Sequence, residues 1–339
     1  MMDARTLYFT GPGSVAVRTG TVSDPVDDEV VVETQASGIS AGSELLVYRG
    51  EFPESLPVDA TIDALDGEFD YPLAYGYASV GTVTATGPDS TEWLDRRVFA
   101  FEPHATRFRT TPDAVVELPD DIATQAATLL PTVETATNLV LDAQPRIGER
   151  AVVFGAGAVG LATTQLLASF PLSEVVVVEP LASRRATAAA VGADRTIDPG
   201  STAIADAPPF ADAEPAGADV VFELSGRPET LDDAIAAAGY DSRVIVGSWY
   251  GAKRAPIDLG GSFHRDRVDI VSSQVSTLSP ELRGRWDTDR RFDVAFDRLD
   301  AMDADALITH ELPLDRAADA YALLDDHPDE ARHIILTYQ

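Results

Sequence analysis

The sequence contains no cysteine among its 339 residues. Disulfide bonds, thiol catalysis and every zinc site with thiolate ligands are therefore excluded. Its apolar runs are also short, and none approaches the roughly 18 residues that a membrane-spanning helix requires. The first residues, MMDARTLYFTGPG, lack the apolar core of a signal peptide. We therefore expect a soluble, cytoplasmic protein.

Basic residues are scarce and almost all of one kind. The chain has 56 Asp and Glu against 25 Lys and Arg, a formal net charge of −31, and Lys253 is its only lysine. An acidic surface repels nucleic acids and anionic membranes, so neither is an expected partner. Concentrated salt screens the self-repulsion of such a surface. The composition therefore predicts a halophilic protein of haloarchaeal origin, with an ordinary acidic enzyme as the alternative.

One stretch, ERAVVFGAGAVGLATTQLLAS at 149–169, organises the rest of the chain. A short apolar strand ends at Phe154, and Gly155, Gly157 and Gly160 then form a G-x-G-x-x-G pattern before a helix. The first glycine permits a tight turn, the second lets the backbone approach a diphosphate, and the third lets the helix pack closely on the strand. Unpaired N–H groups at the helix N-terminus would hold the diphosphate. The spacing predicts a dinucleotide-binding site.

Further candidate residues for this site follow the neighbouring strands. Glu179 ends the next strand, 24 residues after Gly155, where an acidic side chain would bind the ribose hydroxyls of NAD. Arg184, on the following helix, could instead hold the 2′-phosphate of NADP, so the choice stays open with a preference for NAD. The remaining candidates flank the glycines or follow the fourth and fifth strands: Ala158, Val159, Ser225, Gly226, Gly247 and Ser248.

The pattern of the chain changes twice. Residues 1–125 are short strand candidates separated by Gly, Pro and Asp clusters, which is typical of antiparallel β-structure. Within them, Glu51–Tyr71 is predicted to be a loop or lid. Residues 126–276 alternate strands with helices, which predicts a parallel doubly wound sheet, and residues 277–339 are mixed. We expect an α/β protein with a Rossmann domain at 126–276.

Several segments together resemble the medium-chain dehydrogenase/reductase superfamily. They span nearly the whole chain: SGISAGSELLVYRG at 37–50, LAYGYASVGTV at 73–83, RVFAFEPHATRF at 97–108, the glycine stretch, AAAVGAD at 188–194, ELSGRPETLDDAI at 223–235 and RVIVGSWYG at 243–251. The SAGSE motif and FHRDRVDIVSSQVS at 263–276 are similar to the branch of bacteriochlorophyllide a dehydrogenase and of chains called zinc-binding alcohol dehydrogenases. The resemblance implies a GroES-like catalytic domain, here 1–125 with 277–339, an active site in the cleft beside the Rossmann domain, and homodimers or homotetramers.

The sequence departs from this family at the zinc ligands. Ser40 or Ala41 stands where zinc-binding members have a cysteine, and Tyr77-Ala78 replaces their His-Glu pair. The further cysteine near 131–135 and the four-cysteine lobe for a structural zinc are both missing. Four other residues are of a ligand type but lack the spacing of a site: Glu44, His104, Glu134 and His264. We therefore expect no zinc.

Without zinc, side chains must polarise the substrate oxygen and relay its proton. Ser43 matches the family position whose hydroxyl touches that oxygen, although a serine there could simply cap a helix. Glu44 matches an acidic position near the family's metal and cofactor, or it interacts with a helix dipole. Tyr77 could donate its phenol proton or form a pocket wall. His104 could exchange a proton near neutral pH or be a structural loop residue.

These observations predict an enzyme: a zinc-independent, NAD(P)-dependent oxidoreductase that transfers hydride between the nicotinamide and an alcohol or ketone. Reduction of a conjugated C=C bond, as in quinone reductase-like members of the family, is the alternative within the same fold. A nucleotide-binding protein without turnover is the alternative from another class, and it would tolerate the loss of Ser43, Tyr77 and His104. The sequence leaves the small-molecule substrate unidentified.

Overall fold

A computed structural model describes the chain at residues 1–53, 55–59, 61–201 and 214–338. Contacts between residues divide the chain into two compact units. Unit 1 consists of Met1–Pro131 and Ile308–Gln339, and unit 2 is the continuous segment Thr132–Leu307. Within the described ranges, no helix combines the length and the apolar character needed to cross a membrane.

The strands are numbered in chain order. The first part of the chain contains β1 (Met2–Gly11), β2 (Ser14–Val22), β3 (Val30–Ile39), β4 (Ser79–Thr86), β5 (Arg97–Ala100), β6 (Arg107–Thr110) and β7 (Val115–Glu117). The middle part contains β8 (Arg150–Phe154), β9 (Glu174–Val178), β10 (Arg195–Ile197), β11 (Ala218–Glu223), β12 (Ala238–Val246) and β13 (Asp269–Ser272). The last part contains β14 (Ile308–Pro313) and β15 (His333–Thr337).

The α-helices are numbered in the same way. They are α1 (Ala41–Arg49), α2 (Thr124–Ala127), α3 (Leu130–Ala143), α4 (Ala158–Ala168), α5 (Ala182–Ala190), α6 (Thr230–Ala237), α7 (Ser262–Arg265), α8 (Thr288–Ala301) and α9 (Ala317–Asp326). Short 3-10 turns lie at Asp63–Leu65, Thr91–Trp93, Pro112–Ala114 and Leu314–Arg316.

Unit 1 is mainly antiparallel. β1 pairs with β2, and a second sheet has the order β14-β15-β3-β4-β5-β7, with β6 also paired to β3. β3 is buried along most of its length, as a central strand should be. The helices α1 and α9 join this β-structure through the buried rings of Phe9, Tyr48 and Tyr321. This core fixes the first turn of α1, which contains Ser43 and Glu44.

Unit 2 contains a parallel sheet in the order β10-β9-β8-β11-β12-β13. β8 and β9 are runs of buried apolar residues, as expected for strands that helices cover on both faces. Counted along the chain, the order is 3-2-1-4-5-6, in which ligands bind where the order reverses, outside the carboxyl ends of β8 and β11. The predicted α/β class and its doubly wound parallel sheet are confirmed.

The boundary predicted at residue 277 differs from the observed division, because residues 277–307 lie in unit 2. Within unit 2, a buried ion pair joins α8 to α3. Arg291 on α8 donates to Glu134 on α3 over 2.7 Å from Nη2 and to Asn138 Oδ1 over 2.8 Å from Nη1. Arg291 is only 2% exposed and Glu134 only 4%, so the pair lies in the interior between α8 and α3.

Candidate functional site

The glycine stretch forms the turn between β8 and α4 in unit 2. Gly155 has a φ of +96°, as a tight turn requires. A Cβ atom on Gly160 would lie 2.0 Å from the carbonyl oxygen of Gly155, so only glycine lets α4 pack this closely. Beside Gly157 there is more room, because a Cβ there would have Arg184 Nη1 as its nearest neighbour, at 3.9 Å. The space at Gly157 suits the approach of a diphosphate.

Glu179 lies at the same turn and is bonded to it. Its carboxylate accepts the N–H of Ala156 over 2.8 Å and the N–H of Leu181 over 3.0 Å, and its side chain is buried. Arg185 donates to the Glu179 carbonyl over 2.6 Å, while the neighbouring Arg184 approaches the glycine turn. The structure therefore brings Glu179 and Arg184 to the predicted place, and their contact with a ribose or a 2′-phosphate stays a prediction.

Three more of the predicted cofactor residues meet at the carboxyl ends of β11 and β12. The Gly226 N–H donates to Ser248 Oγ over 2.9 Å, and the Ser225 N–H donates to Glu223 Oε1 over 2.9 Å. The Ser225 hydroxyl also donates to Glu223. Gly247 is placed differently: a Cβ there would lie 2.6 Å from Leu139 Cδ2, so this glycine packs against α3.

Sequence reasoning did not identify the centre of this cluster, the fully buried Glu223. Tyr250 donates to Glu223 Oε2 over 2.5 Å, and burial, followed by this hydrogen bond, raises the pKa of the phenol. Lys253, the single lysine, donates to the Gly226 carbonyl over 3.1 Å. An acidic residue at the end of an apolar strand was the available signal for Glu223. For Tyr250 and Lys253 there was no local signal.

In unit 1, Ser43 and Tyr77 form a close hydroxyl pair. Ser43 Oγ and Tyr77 OH lie 2.5 Å apart, and both residues are partly buried. The Tyr77 ring packs edge-on against Tyr75 at 6.0 Å. Burial raises the pKa of Tyr77, hydrogen bonds from Ser40 and Ser43 oppose this, and the charge of Glu44 adds to it. The phenol therefore keeps its proton through neutral pH and can act as a hydrogen-bond donor.

Glu44 is buried next to this pair, in the first turn of α1. Its Oε1 accepts the Ser40 N–H over 2.7 Å, and its Oε2 lies 3.0 Å from His104 Nε2. The Tyr321 hydroxyl of α9 donates to the same Oε2. The carboxylate thus caps the Ser40 N–H at the N-terminus of α1. It also contacts His104 and Tyr321, which are distant in sequence.

His104 is also fully buried, and it contacts both Glu44 and β3. Its Nδ1 lies 2.6 Å from Ser37 Oγ, which in turn lies 2.6 Å from the hydroxyl of Tyr338. A Cβ on Gly76 would come within 2.5 Å of His104 Nε2, so the imidazole packs on the backbone just before Tyr77. The four predicted catalytic residues are therefore neighbours in unit 1. Their catalytic roles stay predictions.

The ligand types named for a recruited metal are used in other ways. Glu44 and His104 bond to each other, Glu134 pairs with Arg291, and His264 lies on α7 in unit 2. Across the part of the chain that the structure describes, no group of three or more His, Asp or Glu is arranged to hold a metal ion.

Unit 2 is similar in sequence to a known protein family. Residues 158–289 match the family model of the zinc-binding dehydrogenases. The D-xylulose reductase of Saccharomyces cerevisiae is 28% identical over 304 residues, which cover 78% of this chain and 85% of that protein. The 2-desacetyl-2-hydroxyethyl bacteriochlorophyllide A dehydrogenase of Rhodobacter capsulatus is 23% identical, with 98% of each chain covered.

Solved structures match along the whole chain. A short chain alcohol dehydrogenase of Escherichia coli complexed with NADH has a TM-score of 0.81 at 19% identity, with 100% of both chains covered. A putative zinc-binding dehydrogenase of Sinorhizobium meliloti bound to NADP has a TM-score of 0.79 at 18% identity, again with full coverage of both chains. These matches confirm the predicted combination of a GroES-like and a Rossmann domain.

Proposed function

We propose that this chain, an alcohol dehydrogenase-like oxidoreductase of the medium-chain dehydrogenase/reductase type, transfers hydride between a nicotinamide cofactor and an alcohol or ketone without zinc. The observation that supports this most directly is the pair Ser43 and Tyr77. Their hydroxyl oxygens lie 2.5 Å apart on a partly buried surface, so both can reach one substrate oxygen. Fixed donors aimed at a developing oxyanion are an established substitute for a Lewis acid.

In this mechanism the two hydroxyl groups have different tasks. A bound nicotinamide supplies the hydride for ketone reduction and takes it up in the reverse direction. Tyr77 donates a hydrogen bond to the carbonyl oxygen and so draws electrons from the carbon that gains the hydride. The oxygen then takes the phenol proton and becomes the alcohol. Ser43 passes its own proton to Tyr77 and regains one from water, so that one hydride and one proton are consumed for each ketone reduced.

The donor set supports a reaction without zinc. A catalytic zinc takes three protein ligands of the Cys, His, Asp or Glu type, and here the corresponding positions hold Ser40 or Ala41 and Tyr77. The nearby carboxyl group of Glu44 already has three polar partners on its buried side: the Ser40 N–H, the Tyr321 hydroxyl and His104 Nε2. These residues do not fit the ion. We expect purified protein to contain less than stoichiometric zinc and to keep its activity after dialysis against EDTA, both measured on one preparation.

For the cofactor, the geometry favours NAD with NADP as the alternative. Glu179 places a carboxylate at the glycine turn, where it would repel a 2′-phosphate. Arg184 lies at the same turn and is the residue that would bind that phosphate. The candidates at the ends of β11 and β12 complete the proposed binding surface: Ser225, Gly226 and Ser248.

A fluorescence titration with NADH and NADPH tests this proposal, in about 2–3 M KCl so that acidic self-repulsion is screened. We expect tighter binding of NADH, and an Arg184→Ala variant that binds NADH as well as the parent protein does. The cofactor assignment would be reversed if the parent protein bound NADPH more tightly than NADH and Arg184→Ala lost that NADPH binding. Binding of neither cofactor would overturn the dehydrogenase proposal.

Reduction of a conjugated C=C bond is the second candidate, since Ser43 and Tyr77 would polarise an enone oxygen equally well. Product analysis with a simple ketone and a simple enone separates the two reactions. A saturated ketone formed from the enone would favour the second, and an allylic or simple alcohol the first. If the protein binds NADH tightly but turns over neither compound, the third alternative, a nucleotide-binding protein without turnover, gains support.

The family resemblance also suggests a homodimer or homotetramer, and β13 offers a surface for it. This strand ends the parallel sheet of unit 2, and Val271 on it is 36% exposed. An edge strand presents unpaired backbone groups that a second copy could extend. Sedimentation velocity in high salt should give a dimer or larger species, and Val271→Lys should shift it toward the monomer. A parent protein that sediments as a monomer would contradict this assignment.

A further inference from the structure

Next to the Ser43–Tyr77 pair lies a set of polar side chains that no substrate could reach. Glu44, His104, Tyr321 and Ser37 all have an exposed fraction of 0%. Burying a carboxylate and an imidazole among apolar rings is costly unless each polar atom has a partner. The sequence places these residues on β3, α1, α9 and the segment between β5 and β6, so only the fold brings them together.

Every side-chain polar atom of this set has a hydrogen-bond partner. Glu44 accepts hydrogen bonds from the Ser40 N–H and the Tyr321 hydroxyl, and its Oε2 also lies 3.0 Å from His104 Nε2. On the other side of the imidazole, His104 Nδ1 lies 2.6 Å from Ser37 Oγ. Ser37 Oγ in turn lies 2.6 Å from the Tyr338 hydroxyl, which extends the chain of polar contacts from Glu44 to Tyr338.

This set holds both members of the hydroxyl pair through the backbone. Glu44 fixes the N–H of Ser40, three residues before Ser43, at the start of α1. His104 packs on Gly76, which directly precedes Tyr77. One residue of the pair is therefore held from the carboxylate and the other from the imidazole, and the hydrogen bond between Glu44 and His104 links the two supports.

We propose that Glu44, His104 and Tyr321 are positioning residues that keep Ser43 and Tyr77 at hydrogen-bond distance, and that Ser37 and Tyr338 fix the orientation of the imidazole. The role of Ser43 and Tyr77 toward a substrate rests on the proposed function, whereas their placement by these buried residues does not. Removing one donor leaves a buried carboxylate short of a partner, so the carboxylate must shift or admit water. Because Glu44 belongs to α1, such a shift moves Ser43 relative to Tyr77.

Carbon-13 NMR of tyrosine labelled at Cζ tests this without any substrate. The Tyr77 signal is identified by its absence from a Tyr77→Phe variant, and it reports the environment of the phenol. We expect Tyr321→Phe to move this signal. Tyr48→Phe is the matched control, because it removes a hydroxyl from the ring stacked on Tyr321 at 5.5 Å, and it should leave the Tyr77 signal in place.

Ser37→Ala is the second variant, and it removes only the hydroxyl that faces His104 Nδ1. It should also move the Tyr77 signal, and it decides the question alone if Tyr321→Phe does not fold. An unmoved Tyr77 signal in the folded variants, or an equal movement in Tyr48→Phe, would overturn the proposal.

A kinetic measurement separates this proposal from the proposed function. With whichever ketone the protein reduces, Tyr321→Phe should lower kcat about tenfold and change KM by less than about twofold, since orientation is lost but binding is kept. A Tyr77 signal that moves in a protein reducing neither ketone nor enone would leave the positioning role intact and reject the oxidoreductase mechanism. Normal kinetics in the variants would reject the positioning role instead.

Discussion

Tyr77 combines two properties that a proton donor to a substrate oxygen needs. Its phenol lies 2.5 Å from the hydroxyl of Ser43, and burial raises its pKa above the ordinary value of 10. The group is therefore protonated at every pH at which a ketone reductase would normally be assayed. A phenol with this pKa is a poor base, so in alcohol oxidation the proton would have to leave through Ser43 to water.

Tyr77→Phe should lower kcat for ketone reduction about 100-fold with little change in KM, because the lost hydrogen bond forms mainly in the transition state. In the parent protein, reduction should show no loss from Tyr77 ionisation as the pH rises toward 10, since the pKa is shifted upward. Steady-state rates at several pH values measure both effects. Tyr48→Phe is the control, and a Tyr77→Phe variant with parental kcat would remove Tyr77 from the mechanism.

His333, at the start of β15, makes stability depend on pH. It is buried, its Nε2 lies 3.1 Å from Thr128 Oγ1, and burial lowers its pKa from 6.5 to about 4. Between pH 4 and pH 6.5, the imidazole is therefore protonated in the unfolded chain but neutral in the folded protein. The contribution of the neutral imidazole is thus complete above pH 6.5 and is lost as the pH falls toward 4, by up to about 3 kcal/mol.

We expect His333→Asn to lose less unfolding free energy than the parent between pH 6.5 and pH 4, at constant salt. Denaturant titrations at both pH values give the two differences, and the change between them cancels any general effect of the substitution. Equal pH dependence in the two proteins would show that the imidazole titrates alike in both states.

At the scale of elements, Gly157 and Gly160 in the turn between β8 and α4 differ in the space available for a side chain. Gly160→Ala should reduce the free energy of unfolding by about 1–3 kcal/mol, because its Cβ would lie 2.0 Å from a carbonyl oxygen. Gly157→Ala has room for its methyl group and should fold normally, yet bind NADH at least about tenfold more weakly, since the diphosphate needs that space.

Thermal melting of the cofactor-free variants and NADH titration measure the two effects separately. The proposed binding mode predicts that Gly160→Ala has the lower melting temperature of the two variants. It also predicts that Gly157→Ala folds normally but binds NADH more weakly. Parental NADH affinity in Gly157→Ala would place the diphosphate elsewhere.

The elements predicted best from the sequence were those whose signal is local. β8, β9 and β11 are apolar runs that end at glycine or polar residues. The spacing of Gly155 and Gly160 predicted the turn that follows β8. α1 was not predicted as an element, although the alternative roles considered for Ser43 and Glu44 were those of residues at the start of a helix. β6 (Arg107–Thr110) was also missed, since its alternation of Arg with Phe and Thr is too short to stand out.

The partners within the candidate site could not be predicted, for a different reason. Ser43, Glu44 and Tyr77 were proposed from family positions and His104 for its imidazole, but nothing in the sequence links Glu44 to Tyr321, 277 residues away. Hydrogen bonds over such separations depend on how the strands are ordered in the sheet. The family motif supplied candidate residues, and the fold supplied their contacts.

The whole molecule carries a formal net charge of −31. Repulsion among these charges opposes the compact state, and salt shortens its range from about 10 Å at 0.1 M to about 3 Å at 1 M. The melting temperature should therefore rise between about 0.1 and 2 M KCl, and NaCl should act similarly because screening depends on ionic strength. A melting temperature that is flat over this range would contradict the proposed halophilic adaptation.

The order of the chain within unit 1 has a consequence for biosynthesis. Unit 2 is one continuous segment, whereas unit 1 is closed by residues that follow it, from Ile308 onward. A ribosome thus releases the glycine turn long before Tyr321 and Tyr338, the partners of Glu44 and Ser37, have been synthesised. A nascent chain can form the dinucleotide-binding turn early, but the buried hydrogen bonds beside Ser43 and Tyr77 form only after residues 308–338 have been added. Premature termination before residue 308 would deprive Glu44 of the Tyr321 hydroxyl and Ser37 of the Tyr338 hydroxyl.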